Sequence, residues 1–372
     1  MDLTNLITEL SKGFASFTWG NAVMILVGLI LIFLAIVKEY EPVLLLPIGF
    51  GCLMANLGMS NQVGFMKVIY DAGISTELFP LLIFIGVGAM IDFSPLLSQP
   101  SMVLLGAAGQ FGIYGTLLLA LALGFPLNQA ASIGVIGAID GPTAIFVGTK
   151  LAPEIVAPIA VAAYSYMSLI PIIQPPIMKL MTTRKERLIR MEYSPKPVSR
   201  LTLIIFPILV TLLVALVAPD AAPLMAALML GNLLREALVV ERLSKMVQNE
   251  LINIATLFLG LAIGSTMTAE SFLNWNTLAI LGLGLLAFVI DTVAGLLFGK
   301  LMAVITHGKV NPLIGACGIS AFPMAGRLSA KMALEEDPSN FILMHAMGSN
   351  TAGQLGSVIA GGILLALVTG IP

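Results

Sequence analysis

Asp140, Gly141, Pro142 and Thr143 stand together in the middle of a long apolar tract, within the run GAIDGPTA at 137–144. A charge at the centre of a bilayer costs about 2.5–3.5 kcal/mol on insertion scales. A carboxylate placed there therefore needs a cation or a strong set of donors. Proline lacks a backbone donor and disfavours helix at the residue before it. The helix is expected to unwind here and to leave carbonyl oxygens free beside Asp140, with the Thr143 hydroxyl next to them. Carboxylate, hydroxyl and carbonyl are the hard oxygen ligands that alkali cations take. The competing reading is a buried structural carboxylate paired with a distant Arg or Lys. The coincidence of carboxylate and backbone break favours the ion site.

A second interrupted tract, NPLIGACGISAFPMAGR at 311–327, supplies neutral polar groups: Asn311, Ser320 and the carbonyls around Gly315 and Gly318. Asn350 lies in a third short polar stretch, GSNT at 348–351. The two tracts are expected to face each other and build one site. Each residue also has a plainer reading. Asn311 can simply cap a helix begun by Pro312, and serine is common where membrane helices pack. Arg327 either snorkels to an interface or binds an anion at the mouth of the site. Tyr164 and Tyr166 sit in an apolar stretch beside Ser165 and Ser168. They belong to an interfacial aromatic belt or give and relay a proton. Asp291, deep in its span, is a secondary candidate for a proton or ion role. Asp92 reads as a cap before Ser94-Pro95, and His345 as structural.

The elements that position these groups follow from composition. The 372 residues are 58% hydrophobic and 10% charged, with a mean hydropathy of +1.01. Soluble domains carry about 25% charged residues, and many runs here approach the roughly 20 apolar residues that span a bilayer. The fold class is therefore all-α and polytopic in a membrane. The net charge of -2 comes without a basic tract of nucleic-acid type, so no nucleic-acid partner is expected. Cys52 and Cys317 lie in apolar surroundings and do not read as a disulfide framework. No phosphate-cradling loop, no zinc spacing and no Ala-Met-Lys-Met biotin-attachment sequence occurs; Met66-Lys67 and Met178-Lys179 lack its context. A pump built on this chain draws its energy from another one.

Along the chain, residues 1–20 carry Leu3, Leu6, Ile7 and Leu10 at helical spacing and read as an N-terminal amphipathic segment. No cleavable signal peptide is evident. Apolar segments are predicted at 21–37, 43–57, 78–90, 102–123, 130–147 and 155–178, with a connecting stretch at 60–76. A basic loop at 179–200 holds Lys179, Arg184, Lys185, Arg187, Arg190, Lys196 and Arg200 against Glu186 and Glu192. By the positive-inside tendency it is cytoplasmic. It either only sets topology or also docks a soluble partner. Further segments are predicted at 201–218, 222–234, 252–267, 278–299, 312–324, 341–348 and 356–369. Each half thus has about six segments and one broken tract. That is the pattern of two inverted repeats, 21–178 and 201–372, with broken or re-entrant helices at the site.

The run GAIDGPTAIFVGTKLAPEIVAPIAVAAYSYMSLIPIIQPPIMKLMTTRKERLIRM closely resembles the β subunit of the biotin-dependent, sodium-translocating decarboxylases of oxaloacetate, methylmalonyl-CoA and glutaconyl-CoA. NPLIGACGISAFPMAGR and MHAMGSNTAGQLGS resemble it as well, and the likeness extends from about residue 21 onward. The resemblance implies a membrane subunit that decarboxylates carboxybiotin, consumes a proton and moves sodium outward. The carboxybiotin is presented by a partner subunit and not attached to this chain. It implies an α carboxyltransferase subunit, a biotin carrier and a small γ membrane subunit as partners, a trimer of β subunits, and the bacterial cytoplasmic membrane as location. By position in its motifs it maps the essential aspartate to Asp140, the functional tyrosine and arginine to Tyr166 and Arg327, and sodium-site residues to Asn311, Gly315, Ser320 and Asn350. Thr143 joins them from the reading of the first tract. The compact N-terminal half, without the long insertion of larger oxaloacetate-type subunits, tilts the expectation toward an acyl-CoA decarboxylase complex. The rival expectation is a stand-alone secondary transporter, either a sodium/proton exchanger or a sodium-coupled organic-anion carrier. A purely structural membrane anchor ranks last, because a buried carboxylate and two polar breaks are costly features for an anchor.

Overall fold

The computed structural model describes residues 17–192 and 197–370, except for the side chain of Ser168. The expected amphipathic segment at 1–20 falls almost wholly outside the described residues, as does Lys196 of the basic loop. The described residues fold into helices joined by short turns, and no strand occurs among them. Six helices are long and apolar enough to cross a membrane, or up to eight if each of two bent helix pairs is one span. The all-α, multi-pass expectation is met.

Several segments form where apolar length and flanking turns predict them: Trp19–Val37, Pro42–Asn56, Leu78–Met90, Arg200–Val217 and Ala222–Ala237. Others differ in detail. The stretch expected only to connect at 60–76 is itself helical over Gly64–Tyr70 and Asp71–Ser75. The span expected at 102–123 is met at Met102–Ala122, long and apolar enough to cross a membrane, with a two-residue interruption at Gly109-Gln110. The helix Val156–Met181 bends by 63° near its middle. Pro171 has no N–H to offer the Met167 carbonyl one turn back, which is the usual origin of such a kink. The two segments expected at 341–348 and 356–369 are one continuous helix, Leu343–Thr369. The polar stretch 348–351 does not break it: the helix runs through, and the Asn350 amide reaches the Ile319 carbonyl on another element.

Two compact units divide the chain: the described residues up to Phe79 with Asn253–Ala279, and Pro80–Ile252 with Ile280 onward. In the first, Asn56 is buried and ties its helix to the turn after Ile252–Ser265, donating to the Met267 carbonyl at 2.8 Å and accepting from the Ala269 N–H at 3.1 Å. The second unit holds both broken tracts. Each unit draws on both halves of the sequence. Compactness and the proposed repeat at 21–178 and 201–372 are therefore separate properties, since a repeat is a relation of symmetry between segments.

The described part of the basic loop is clamped within the second unit. Arg187 reaches Glu336 through Nε and Nη2, both at 2.7 Å from Oε1, with Arg184 3.3 Å from the other oxygen. Arg190 meets Asp337 at 2.6 Å and Lys300 meets Glu186 at 3.2 Å. The backbone is held too, for Asn311 and Asn340 both donate to the Arg187 carbonyl, at 3.0 and 2.9 Å. The Arg187 hydrogen bond is the main reason the Glu336 carboxyl titrates below its ordinary value of 4.5. A carboxylate held low in the folded state stabilises at pH above its ordinary value, and that contribution is lost as pH falls through the lowered one. Protection of the 184–190 amides, taken relative to their intrinsic exchange rates, should therefore be high at neutral pH and fall below about 4.5. Glu336→Gln should bring the lowered protection to neutral pH. Equal protection in parent and variant would show that the clamp does not depend on this pair.

Candidate functional site

The first tract runs as the helix Leu127–Gly134, a 3-10 turn Val135–Ala138, and the helix Gly141–Leu151. Between them Ile139 is left-handed, with φ 52°, and Asp140 is extended. A β-branched residue at positive φ is a genuine outlier, so the break is imposed by its surroundings. Pro142 does not sit in unwound chain, as expected, but within the first two residues of the second helix. Its missing N–H costs nothing there, and the break lies just upstream. Asp140 is the N-cap of that helix: its Oδ1 is 3.5 Å from the Thr143 N–H, and its Oδ2 accepts the Thr143 hydroxyl at 2.8 Å.

Two further donors reach the same Oδ2 from the C-terminal helix, Gln354 Nε2 and Ser357 Oγ, each at 2.9 Å. All four side chains are buried. Neither Gln354 nor Ser357 was singled out in the sequence. The signal was present in the spacing. Asn350, Gly353, Gln354 and Ser357 fall at i, i+3, i+4 and i+7, which is one helical face.

The second tract is a 3-10 turn, Pro312–Cys317, followed by irregular chain and the helix Met324–Glu336. It meets the first tract backbone to backbone, the Ser320 N–H donating to the Ala138 carbonyl at 3.1 Å. The expectation that the tracts face each other is thus met at atomic contact. Its carbonyls, expected to be free, are taken up by side-chain amides. Gln174 donates to Ala316 at 2.7 Å, Gln110 to Gly318 at 3.2 Å and Asn350 to Ile319 at 2.7 Å. The Ser320 hydroxyl donates to the Gly353 carbonyl at 3.0 Å. Each carbonyl keeps a second lone pair. The buried Asn350 Oδ1 and Ser349 and Thr351 hydroxyls have no hydrogen-bond partner among the described residues.

The other candidates are placed as follows. Asn311 caps its turn by accepting from the Leu313 N–H at 3.0 Å, and its amide donates to the Arg187 and Ile189 carbonyls. Its side chain therefore joins the basic loop to the second tract. Gly315 abuts Gly295 of the helix Trp275–Ile305: a Cβ on Gly315 would lie 2.1 Å from the Gly295 carbonyl oxygen. Tyr166 donates to the Leu281 carbonyl at 2.5 Å and packs with Ile139, Ile319 and Ala325. Tyr164 is the phenol beside the first break. Its ring covers Gly141, and its buried hydroxyl has no partner among the described residues. Arg327 is exposed on the first turn of Met324–Glu336, where a cation opposes the helix dipole and an anion suits it. Asp92 closes a turn by accepting from the Ser94 N–H at 2.8 Å, and His345 lies 3.2 Å from the Gln99 amide.

The arrangement presents a buried carboxylate with hydroxyl and amide groups converging on one oxygen, between two breaks in bonded contact. Carboxylate and hydroxyl oxygens are of the kind that hard cations take as ligands. The sequence matches the family described as the beta subunit of Na+-transporting oxaloacetate decarboxylase over residues 20–368. It is 53% identical over 358 residues to the methylmalonyl-CoA decarboxylase subunit beta of Veillonella parvula, covering 96% of each chain. It is 51% identical over 371 residues to the glutaconyl-CoA decarboxylase subunit beta of Acidaminococcus fermentans, covering 99% of this chain and 98% of the relative. The oxaloacetate decarboxylase beta chain of Klebsiella pneumoniae is 48% identical over 413 aligned positions, with 94% of this chain and 95% of that one covered. With a carboxylate held between two broken tracts and likeness of this extent from end to end, the chain belongs to the beta-subunit family of sodium-transporting decarboxylases.

Proposed function

We propose that this chain is the membrane subunit of a sodium pump, in which decarboxylation of carboxybiotin drives sodium export and consumes a proton. The observation that carries the reading is the buried Asp140 carboxylate, gathered by Thr143, Gln354 and Ser357 at the junction of two broken tracts. Family membership supports the pump over a stand-alone sodium/proton exchanger or organic-anion carrier. The relatives' designation as beta subunits supports a multi-subunit complex in a membrane. Within it we place an α carboxyltransferase subunit, a biotin carrier, a small γ subunit and a trimer of β subunits, in the bacterial cytoplasmic membrane. The 413 aligned positions with the oxaloacetate relative exceed the 372 residues of this chain, so the longer form carries extra residues that are missing here. This supports an acyl-CoA as the substrate of the complex.

In this reading sodium is the cargo and binds at Asp140, Thr143, Ser320 and Asn350, with Gln354 and Ser357 added to the set. A hydroxyl can donate to the carboxylate and still offer a lone pair to a cation. Asn311 and Gly315 act on the site by holding the shape of the second tract. Arg327 receives the carboxybiotin anion at the mouth. The nitrogen–carbon bond of carboxybiotin breaks, carbon dioxide leaves, and the ring nitrogen takes a proton, with Tyr166 taking part in its delivery. Moving one charge against 100 mV costs about 2.3 kcal/mol, so the chemistry must change the affinity or access of the site. A ligand bound equally in both states shifts nothing. We read the two broken tracts as counterparts in inverted repeats that provide these two states.

In the reconstituted complex, Asp140→Asn should abolish sodium-stimulated decarboxylation of free carboxybiotin; normal sodium dependence in that variant would sink the coupling. Gln354→Leu and Ser357→Ala should each raise the sodium concentration for half-maximal rate about tenfold, equivalent to ~1.4 kcal/mol. An unchanged value would remove the C-terminal helix from the site. Arg327→Ala should raise KM for carboxybiotin while leaving the sodium dependence as it was.

A further inference from the structure

A second buried carboxyl lies outside the arrangement just described. Asp291, in the helix Trp275–Ile305, is 1% exposed. Its Oδ1 accepts the N–H of Gly112, the second residue of the helix Phe111–Ala122. This bond makes it a cap supplied from a neighbouring helix, and it accounts for one oxygen only. The other oxygen, Oδ2, is buried and has no hydrogen-bond partner among the described residues. It lies beside Gly137 of the first break: a Cβ on Gly137 would be 3.1 Å from it.

A carboxylate at this depth is costly unless something positive meets it. The surroundings decide what can. A Cβ on Gly112 would lie 2.5 Å from both the Ala287 carbonyl oxygen and the Asp291 carboxyl carbon. One on Gly137 would lie 3.0 Å from the Gly112 backbone. Two glycines thus close around the carboxyl, and no described hydroxyl or amide is bonded to Oδ2. Asp140, by contrast, has three side-chain donors on one oxygen. A sodium ion needs several oxygen ligands around it, whereas a proton needs none. Few other titratable groups face Asp291. Tyr114 is two residues from Gly112 and 37% exposed, the turn Val135–Ala138 carries none, and Asp140 follows three residues after Gly137. On its own helix Lys300 is paired with Glu186, and Tyr166 meets the helix back at Gly284.

We propose that Asp291 is a proton-binding site, distinct from the cation site at Asp140, with Oδ2 carrying the proton. The two carboxyls flank the same break, Gly137 touching one and lying three residues before the other, so a change in the backbone there reaches both. If the proposed pump reading holds, the decarboxylation takes up one proton per turnover, and this site keeps proton and sodium on separate carboxyls. The site itself does not rest on that reading.

Infrared absorption of the full-length protein in its complex, compared between parent and variants in H2O and D2O, tests the proposal directly. A protonated-carboxyl stretch, shifted by deuterium, should be present with and without sodium, lost in Asp291→Asn and kept in Asp140→Asn. A spectrum unchanged by Asp291→Asn would overturn the proposal. So would a band that disappears on adding sodium at constant pH, which would make the occupant sodium. If the Asn variant fails to assemble, Asp291→Glu serves, because the band must move as the carboxyl changes; an unmoved band overturns the proposal equally. The readout needs neither sodium transport nor biotin, so its failure is distinct from failure of the pump reading.

Discussion

Backbone groups freed inside a membrane cannot turn to water, so a break in a spanning segment survives only if the protein itself satisfies it. In this chain that constraint is met by side-chain amides and by one bond between the breaks. Ser320 donates its N–H to Ala138, while Gln110, Gln174 and Asn350 each take a carbonyl of the second tract. The Ser320–Ala138 bond falls at the last residue of the 3-10 turn, two residues before Asp140.

The C-terminal helix Leu343–Thr369 is the element that joins the two halves of the site. Asn350 and Gly353 on its polar face serve the second tract, and Gln354 and Ser357 serve Asp140. A rigid helix touching both breaks gives one body through which a change at one can be felt at the other. Packed, rigid elements of this kind can carry energetic coupling between two places. The Trp275–Ile305 helix makes a second such link, with Gly284 against Ile136, Asp291 against Gly112 and Gly137, and Gly295 against Gly315.

The basic loop has a structural part that its charge alone did not reveal. Arg184, Arg187 and Arg190 pair with Glu336 and Asp337, and the loop's backbone is held by Asn311 and Asn340. Asn311 therefore belongs to the loop as much as to the second tract. By contrast Arg327, with no acceptor among the described residues, stands exposed at the positive end of a helix.

What the sequence determined by itself is set by composition and by local backbone chemistry. Apolar runs of spanning length, a carboxylate followed by Gly141-Pro142, and the Asn311-Pro312 start of the second tract are legible because burial and proline act within a few residues. The family likeness was legible for the same reason, since it rests on contiguous runs. What only the tertiary structure decided is which distant groups meet. The stretch at 348–351 reads as a break because it is polar, yet it is helical, with the Asn350 amide bonded to the Ile319 carbonyl on another segment. Gln354 and Ser357 become visible as site residues only when that helix is whole. Asn311 likewise turns toward the basic loop, more than a hundred residues away in sequence. Hydrogen bonds of this range depend on how segments pack, and packing is a property of the whole chain that no single stretch of it encodes.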